Sequence, residues 1–400
     1  MPMQPFFFFY FAKKQLGLLL FFWMLSISGA YVHARDSTAV VPLNALPHLT
    51  KDKPSGVDKQ LIYAIQENNL QQVTALLHNN KNINHQDFLG YSPLHYAAKR
   101  AKAAIVASLI EAKALLNQCS VKNENTPLLL AVKRGDKKIV SLLLAAGANP
   151  NIVNRKGYDA LQLAIQQNRK DLVQLLLQAG ATTSTGVSPL LLAIKRRSLP
   201  IVQLLLQQKE MVETRDKEGY TELHWAAKKN VPAVFRALLK SRRFNVNAKA
   251  DNGATPLHII AANKKSKLVK TLLACPLLEV NVQDSTGSTP LHYAAAFNHL
   301  KAVNGLLCHP SFNTKLHNTK LDNTNLDNTN LQNHLGETAL HYAVQCQHLA
   351  IVKKLLPRVG KGVYIQNKKE VTPLELAAMD QNDPAIYNLI LAHVNLLGVD

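Results

Sequence analysis

Apolar positions in this chain come as two short stripes at helical spacing, separated by polar turns, and the pair of stripes keeps returning. Between Asp251 and Val282, Leu257, Ile260 and Ala261 form a first stripe, and Leu268, Val269, Leu272 and Leu273 a second. This i, i+3, i+4 spacing belongs to one face of a helix. Asn252-Gly253 ahead of the first stripe reads as a tight turn, because Gly accepts positive φ. Thr255 is placed to cap the first helix, and Pro256 sits at its first position, where a missing N–H costs nothing. Pro276 should stop the second helix, and Val280-Asn281-Val282 should run extended into the next turn. The predicted unit is therefore turn, short helix, longer helix, return.

The tripeptide that opens this unit recurs along the chain. It stands as Ser92-Pro93-Leu94, Thr126-Pro127-Leu128, Asp159-Ala160-Leu161, Ser188-Pro189-Leu190 and Thr221-Glu222-Leu223, then as Thr255-Pro256-Leu257, Thr289-Pro290-Leu291, Thr338-Ala339-Leu340 and Thr372-Pro373-Leu374. Successive leucines are 34, 33, 29, 33, 34, 34, 49 and 34 residues apart. A period near 33 marks a stacked solenoid, in which each unit covers its neighbour's apolar face. That overrides the two or three globular domains that 400 residues would otherwise suggest.

The signatures Gly90-Tyr91-Ser92-Pro93-Leu94-His95-Tyr96-Ala97-Ala98 and Gly287-Ser288-Thr289-Pro290-Leu291-His292-Tyr293-Ala294-Ala295 resemble the ankyrin repeat, as do the stretches around His224-Trp225 and His341-Tyr342. The resemblance covers residues 58–400, about ten units. It includes a degenerate first unit with Leu61, Ile62, Ala64, Ile65, Val73, Leu76 and Leu77. It implies an all-α solenoid of stacked helix-turn-helix units with short β-hairpin fingers, atypical at both ends. Two intervals depart from the pattern. The finger between Gly180 and Ser188 is four residues short of the one between Gly147 and Asp159. The 49-residue interval carries a five-residue repeat over 313–332, from Asn313-Thr314-Lys315-Leu316-His317 to Asn328-Thr329-Asn330-Leu331-Gln332. This is read as a polar loop expanded from a finger, with a projecting binding element as the other reading.

Residues 1–34 lie outside the array. Lys13-Lys14, the apolar run Leu16–Ile27 and the small-residue end Val32-His33-Ala34 compose a secretory signal, so export, periplasmic or secreted, is expected. An uncleaved membrane anchor over 16–32 is the alternative, 17 residues being at the short limit for a span. Residues 35–57, with Pro42, Pro47, Pro54 and Gly56, read as a linker.

Candidate chemistry is sparse. Cys119, Cys275, Cys308 and Cys346 form no CxxC pair and are expected as free thiols. His95, His224, His258, His292 and His341 share one register; the ankyrin resemblance implies a structural role, a hydrogen bond joining adjacent repeats. Rings about 10 Å apart cannot share one ion held by bonds of about 2 Å. Trp225, Tyr96, Tyr293 and Tyr342 share the next position and read as packing residues. With no Gly-rich phosphate loop, HExxH or GxSxG, neither enzyme activity nor a cofactor or metal is expected.

Charge is what points to a ligand. The chain has 46 Lys+Arg against 26 Asp+Glu, a net +20. After the Ala-Ala position come Lys99-Arg100, Lys133-Arg134, Gln166-Gln167, Lys195-Arg196, Lys228-Lys229 and Asn263-Lys264, followed by Ala296-Phe297, Gln345-Cys346 and Met379-Asp380. The ankyrin resemblance puts this pair at the exposed end of the inner helix, on a concave contact surface. Charges about 10 Å apart repel by only about 0.4 kcal/mol in water, so such a row could persist simply to complement helix dipoles and aid solubility. Its confinement to the first six units favours function. The expectation is a monomeric, non-catalytic scaffold that grips an acidic segment of a partner protein through Lys99, Arg100, Lys133, Arg134, Lys195, Arg196, Lys228, Lys229 and Lys264. Nucleic acid or an anionic membrane is the alternative ligand, disfavoured because no known nucleic-acid module is present. Direct membrane contact is expected only through 16–32.

Overall fold

The computed structural model describes residues 56–79, 83–182, 188–208, 213–313, 328–379 and 384–397. The expected signal or anchor segment, most of the expected linker, residues 183–187 of the short interval and most of the five-residue repeats lie outside them. Among the described residues there are twenty α-helices and no strand. The chain divides into two compact units, one ending at Pro256 and the other running from Leu257.

In the amino-terminal unit the helices alternate between an inner and an outer row. The inner row is α1 (Gly56–Gln66), α3 (Pro93–Arg100), α5 (Pro127–Arg134), α7 (Ala160–Gln166), α9 (Pro189–Lys195) and α11 (Glu222–Lys229). Its outer partners are α2 (Leu70–Asn79), α4 (Ala103–Glu111), α6 (Lys137–Ala145), α8 (Lys170–Gln178), α10 (Leu199–Leu206) and α12 (Pro232–Ser241). Each inner helix packs on the next inner helix and each outer helix on the next outer one. The carboxy-terminal unit continues with α13 (Pro256–Ala262) to α20 (Pro384–Leu396) in four further pairs. The stripe residues are the core: Leu94, Ala97, Ile105, Leu161, Leu172, Leu223 and Phe235 are fully buried. In the 251–282 unit the second helix, α14, is only Val269–Leu273, shorter than its stripe implies. It ends before Pro276, with Leu268 buried at its N-cap.

The fingers are tight turns closed by one or two backbone bonds, too few to form a strand ladder. Asp87 N–H donates to Tyr91 O (3.1 Å) and Gly90 N–H to Asp87 O (2.8 Å), and the same closure recurs at Asp216–Tyr220, Asp284–Ser288, Asn333–Glu337 and Asn367–Val371. The carboxylate or amide oxygen at the turn's first position accepts two more N–H groups, as Asp87 Oδ1 does from Leu89 (2.9 Å) and Tyr91 (2.8 Å). Successive fingers are then tied by a backbone bond, Val121 N–H to Leu89 O (2.9 Å) or Asp251 N–H to Glu218 O (3.1 Å). This close approach is what requires glycine at Gly90. Its φ is +75°, and a Cβ there would lie 2.5 Å from the backbone nitrogen of Val121.

Between repeats the histidines act as clamps. His95 Nδ1 accepts from Ser92 N–H (3.1 Å), which leaves the ring proton on Nε2 to donate to Asn125 O of the next repeat (3.0 Å). His224 does the same between Thr221 and Ala254, His292 between Thr289 and Glu337, and His341 between Thr338 and Val371. His258 reaches Ser288 O at 3.1 Å. Where the inner helix lacks His, the third helical residue is Leu129, Gln162, Leu191 or Glu375. Gln162 Oε1 accepts from Asp159 N–H (3.2 Å), keeping half of the clamp without a titratable ring.

Burial lowers the pKa of His95 and of His292 to about 4. A depressed folded pKa means stability that is full above the ordinary His value of about 6.5 and is lost as pH falls toward about 4. Glu222 works in the opposite sense. Buried at the first position of α11, where most other repeats place Pro, it accepts from Thr214 N–H and Oγ1, and burial raises its pKa to about 7. It favours the fold at low pH and loses that contribution as pH rises through 7. The two effects offset each other in the amino-terminal unit, so single substitutions separate them. His95→Gln, which borrows the residue found at Gln162, should destabilise at pH 7.5. That penalty should shrink by about 2 kcal/mol at pH 5, read from urea unfolding at both pH values.

Candidate functional site

The basic pairs sit where the inner helices end. Each inner helix is only seven or eight residues from α3 to α11, so its last turn is close to its exposed end, and cations there complement the unpaired carbonyls. Lys99, Arg100, Lys133, Arg134, Lys195 and Arg196 are exposed, while Lys228 and Lys229 are half-buried. Gln166 and Gln167 interrupt the row at α7. Gln167 Nε2 there donates to Lys133 O of the preceding repeat (2.8 Å). Lys264 is exposed but belongs to the carboxy-terminal unit, so it does not extend the row within the amino-terminal one.

The nine basic residues named from sequence are not equivalent. Arg134 turns back: Nη1 donates to Ala101 O of the previous repeat at 2.9 Å, and Nη2 lies 3.7 Å from Asp136. Lys99 lies over the ring of Tyr91, its own finger's aromatic, at 5.3 Å. Three others converge. Lys195 Nζ is 4.1 Å from the ring centroid of Trp225, Lys228 Nζ 4.8 Å and Lys229 Nζ 5.6 Å. Lys228 is also 5.3 Å from the ring of Tyr220. Lys195 comes from α9 and the other two from α11, so the cluster needs two stacked repeats. Burial lowers the pKa of Lys228, against the attraction of Asp216.

Trp225 and Tyr96 do more than pack. Trp225 Nε1–H donates to Asp216 Oδ2 at 2.6 Å, Tyr96 O–H to Asp87 Oδ2 at 2.6 Å and Tyr293 O–H to Asp284 Oδ2 at 2.7 Å. At Tyr342 the direction reverses: Asn333 Nδ2–H donates to the Tyr342 hydroxyl oxygen at 3.0 Å. In two repeats, those of Tyr96 and Trp225, the finger thus holds an aromatic beneath a basic pair. The spacing of nine residues from Asp87 to Tyr96, Asp216 to Trp225 and Asp284 to Tyr293 was present in the sequence and carries this signal.

Among the described residues no three His, Cys, Asp or Glu side chains group so as to hold a metal ion, and no helix is long and apolar enough to cross a membrane. The four cysteines are free, and three of them are exposed.

Comparison with known proteins identifies the repeats. A family model described as ankyrin repeats in three copies matches residues 61–154, 112–185, 161–250, 223–318 and 315–397. The chain belongs to the ankyrin repeat family. An ankyrin repeat protein of fowlpox virus is 34% identical over 103 residues, covering 25% of this chain and 30% of that one. Zygote-specific protein 3 of Chlamydomonas reinhardtii is 33% identical over 125 residues, covering 31% and 33%. The match spans no more than about a third of any of these curated relatives. Among solved structures, the ankyrin repeat domain of Bcl-3 aligns with a TM-score of 0.48 and 25% identity over 61% of this chain and 99% of that one. An ankyrin repeat array is a protein–protein interaction fold, and such proteins are generally non-catalytic scaffolds.

The contacts separate structural cations from displayed ones. Arg134→Ala should cost about 1 kcal/mol, the loss of a charged donor to a repeat-spanning carbonyl. Lys133→Ala, on the exposed neighbour, should stay within about 0.5 kcal/mol of the parent. Urea denaturation of the two variants checks the contrast.

Proposed function

We propose that this ankyrin protein is a monomeric, exported or membrane-tethered scaffold that binds an acidic segment of a partner protein along the inner-helix edge of its amino-terminal unit. The observation that carries this reading is the repetition of cationic side chains at one structural position. Lys99-Arg100, Lys133-Arg134, Lys195-Arg196 and Lys228-Lys229 stand at the ends of four of five successive inner helices. In the carboxy-terminal unit the same position passes from Lys264 to Ala296-Phe297 and Gln345-Cys346. Dipole complementation would serve every inner helix equally, so it does not account for the bias. Long-range attraction to such an edge speeds and orients docking, and neighbouring finger and helix side chains set specificity.

A fluorescein-labelled peptide of about 20 residues, rich in Glu and Asp, is the probe. Lys99→Glu, Lys133→Glu and Arg196→Glu combined should weaken its binding about tenfold or more, at about 0.5–1 kcal/mol per exposed charge. Fluorescence anisotropy in low salt reads the change. Binding untouched by the reversal would sink the reading. Tighter binding to generic duplex DNA with a steep salt dependence would favour nucleic acid instead.

Export has its own test. Removal of the apolar leader would leave a mature chain starting near Arg35, whereas a retained anchor would leave Met1 or the residue after it. Intact-mass measurement of the protein from its native compartment distinguishes the two. A full-length, freely soluble chain would remove both versions.

A further inference from the structure

The Trp225 cluster differs from the rest of the basic edge. Elsewhere one basic pair follows one inner helix. Here three ammonium groups, two from α11 and one from α9, lie within 5.6 Å of one indole ring. The carboxylate beneath them is already engaged: Asp216 Oδ1 accepts from Glu218 N–H (3.2 Å) and Tyr220 N–H (2.9 Å), and Oδ2 accepts from Trp225 Nε1–H (2.6 Å). Lys195 Nζ reaches that carboxylate only at 4.0 Å. Glu218, exposed at the finger tip, is the other carboxylate that acts on Lys228. Three positive charges therefore face one heavily hydrogen-bonded carboxylate and one peripheral one. An indole face attracts a cation, but three ammonium groups share this one ring.

The ligand that fits is compact and carries close to two negative charges with several acceptor oxygens. A phosphate monoester has both, with a charge of about −1.5 to −2 at neutral pH and three strong acceptors. A carboxylate brings one charge and two oxygens. We propose that Lys195, Lys228 and Lys229, held over Trp225, form a phosphate-binding site that takes a phosphorylated side chain on the partner's acidic segment. This rests on the acidic-segment reading and makes it more specific: the rest of the edge attracts the segment and this site fixes its register.

The test compares three fluorescein-labelled peptides that share one acidic sequence and carry at their centre serine, phosphoserine or glutamate, each titrated against the full chain by anisotropy. The phosphoserine peptide should bind about tenfold tighter than the other two. Replacing Lys195, Lys228 and Lys229 together with Gln should erase that preference, while Lys99→Gln with Lys133→Gln should weaken all three peptides and preserve it. A circular dichroism spectrum matching the parent confirms that each variant is folded. Raising the Lys cluster one residue at a time, as Lys195→Gln and Lys229→Gln singly, gives two milder variants if the triple one fails to fold; each should reduce the preference. The advantage should also fall between pH 7 and pH 5.5, as the phosphate loses its second charge near pH 6. Equal affinity for the three peptides overturns the phosphate site and leaves the acidic reading standing. Absence of binding by all three overturns both. A preference that survives the Lys195, Lys228 and Lys229 changes overturns the assignment of the site to this cluster.

Discussion

Two short helices cannot cover their own apolar stripes, and everything else in this chain follows from that shortage. The next pair supplies the missing cover, and this brings backbone as well as side chains to the seam. Each seam then contains carbonyl and amide groups removed from water, which are costly unless bonded. The chain answers with repeat-spanning bonds at three levels. Histidine Nε2 reaches the next repeat's carbonyl. One finger's amide meets the previous finger's carbonyl. Asparagine side chains accept from the amide one repeat on, as Asn84 does from Leu115 (2.7 Å) and Asn117 from Asn149 (2.9 Å). A position near one seam is thus never independent of its neighbour unit. That is why the lysine cluster at Trp225 needs Lys195 from the repeat before.

Much of this was legible in the sequence, because the signals are local. The recurring Thr-Pro-Leu gives the cap, the first helical residue and the first core leucine within three positions, and each of those helices starts where the tripeptide puts it. The histidine register was equally plain, although its carbonyl partner lies thirty residues on at His95, His224, His258 and His341 and forty-five on at His292, across the long interval. What was not legible depends on geometry across a turn. Trp225 and the tyrosines read as packing groups from their own position alone; the bond to Asp216 or Asp284 shows only when the residue nine positions earlier is taken with them. The brevity of α14 was hidden for a related reason. Asn263 and Ser266 organise a turn, with Ser266 N–H donating to Asn263 O (2.7 Å) and Leu268 N–H to Ser266 Oγ (3.2 Å), which delays the helix by local bonds that compete with it.

The basic edge shows the same limit at the level of a single charge type. In sequence Arg134 and Lys133 are two adjacent cations. In the fold one is a strut and the other a display. The planar guanidinium has donors spaced to reach a carbonyl and a carboxylate together, which a compact ammonium on a flexible stem does not. Arg134 accordingly closes onto Ala101 and Asp136, whereas the lysines either extend into solvent or rest on aromatic faces. Counting Lys and Arg together overstated how many cations along this edge remain free to meet a partner.

The aromatic floor also changes how the lysines should be weighed. A lysine in solvent loses rotamer freedom when it closes on a ligand, at a cost of up to about 2 kcal/mol. Lys195 and Lys228 are already held close to Trp225 by an attraction of about 0.5–1 kcal/mol each, more where water is excluded. Part of the ordering cost is therefore met before any ligand arrives. The half-buried setting of Lys228 and Lys229 adds to this, because an attraction of about 1 kcal/mol at 4 Å in water rises to about 4 kcal/mol at the effective dielectric of a protein surface. The indole is in turn fixed by its bond to Asp216, which is fixed by the finger's own amides. Strength of the proposed binding at this edge should follow how firmly each cation is seated, rather than how many cations there are. On that ground the lysines above Trp225 outrank Lys133, which stands in open solvent.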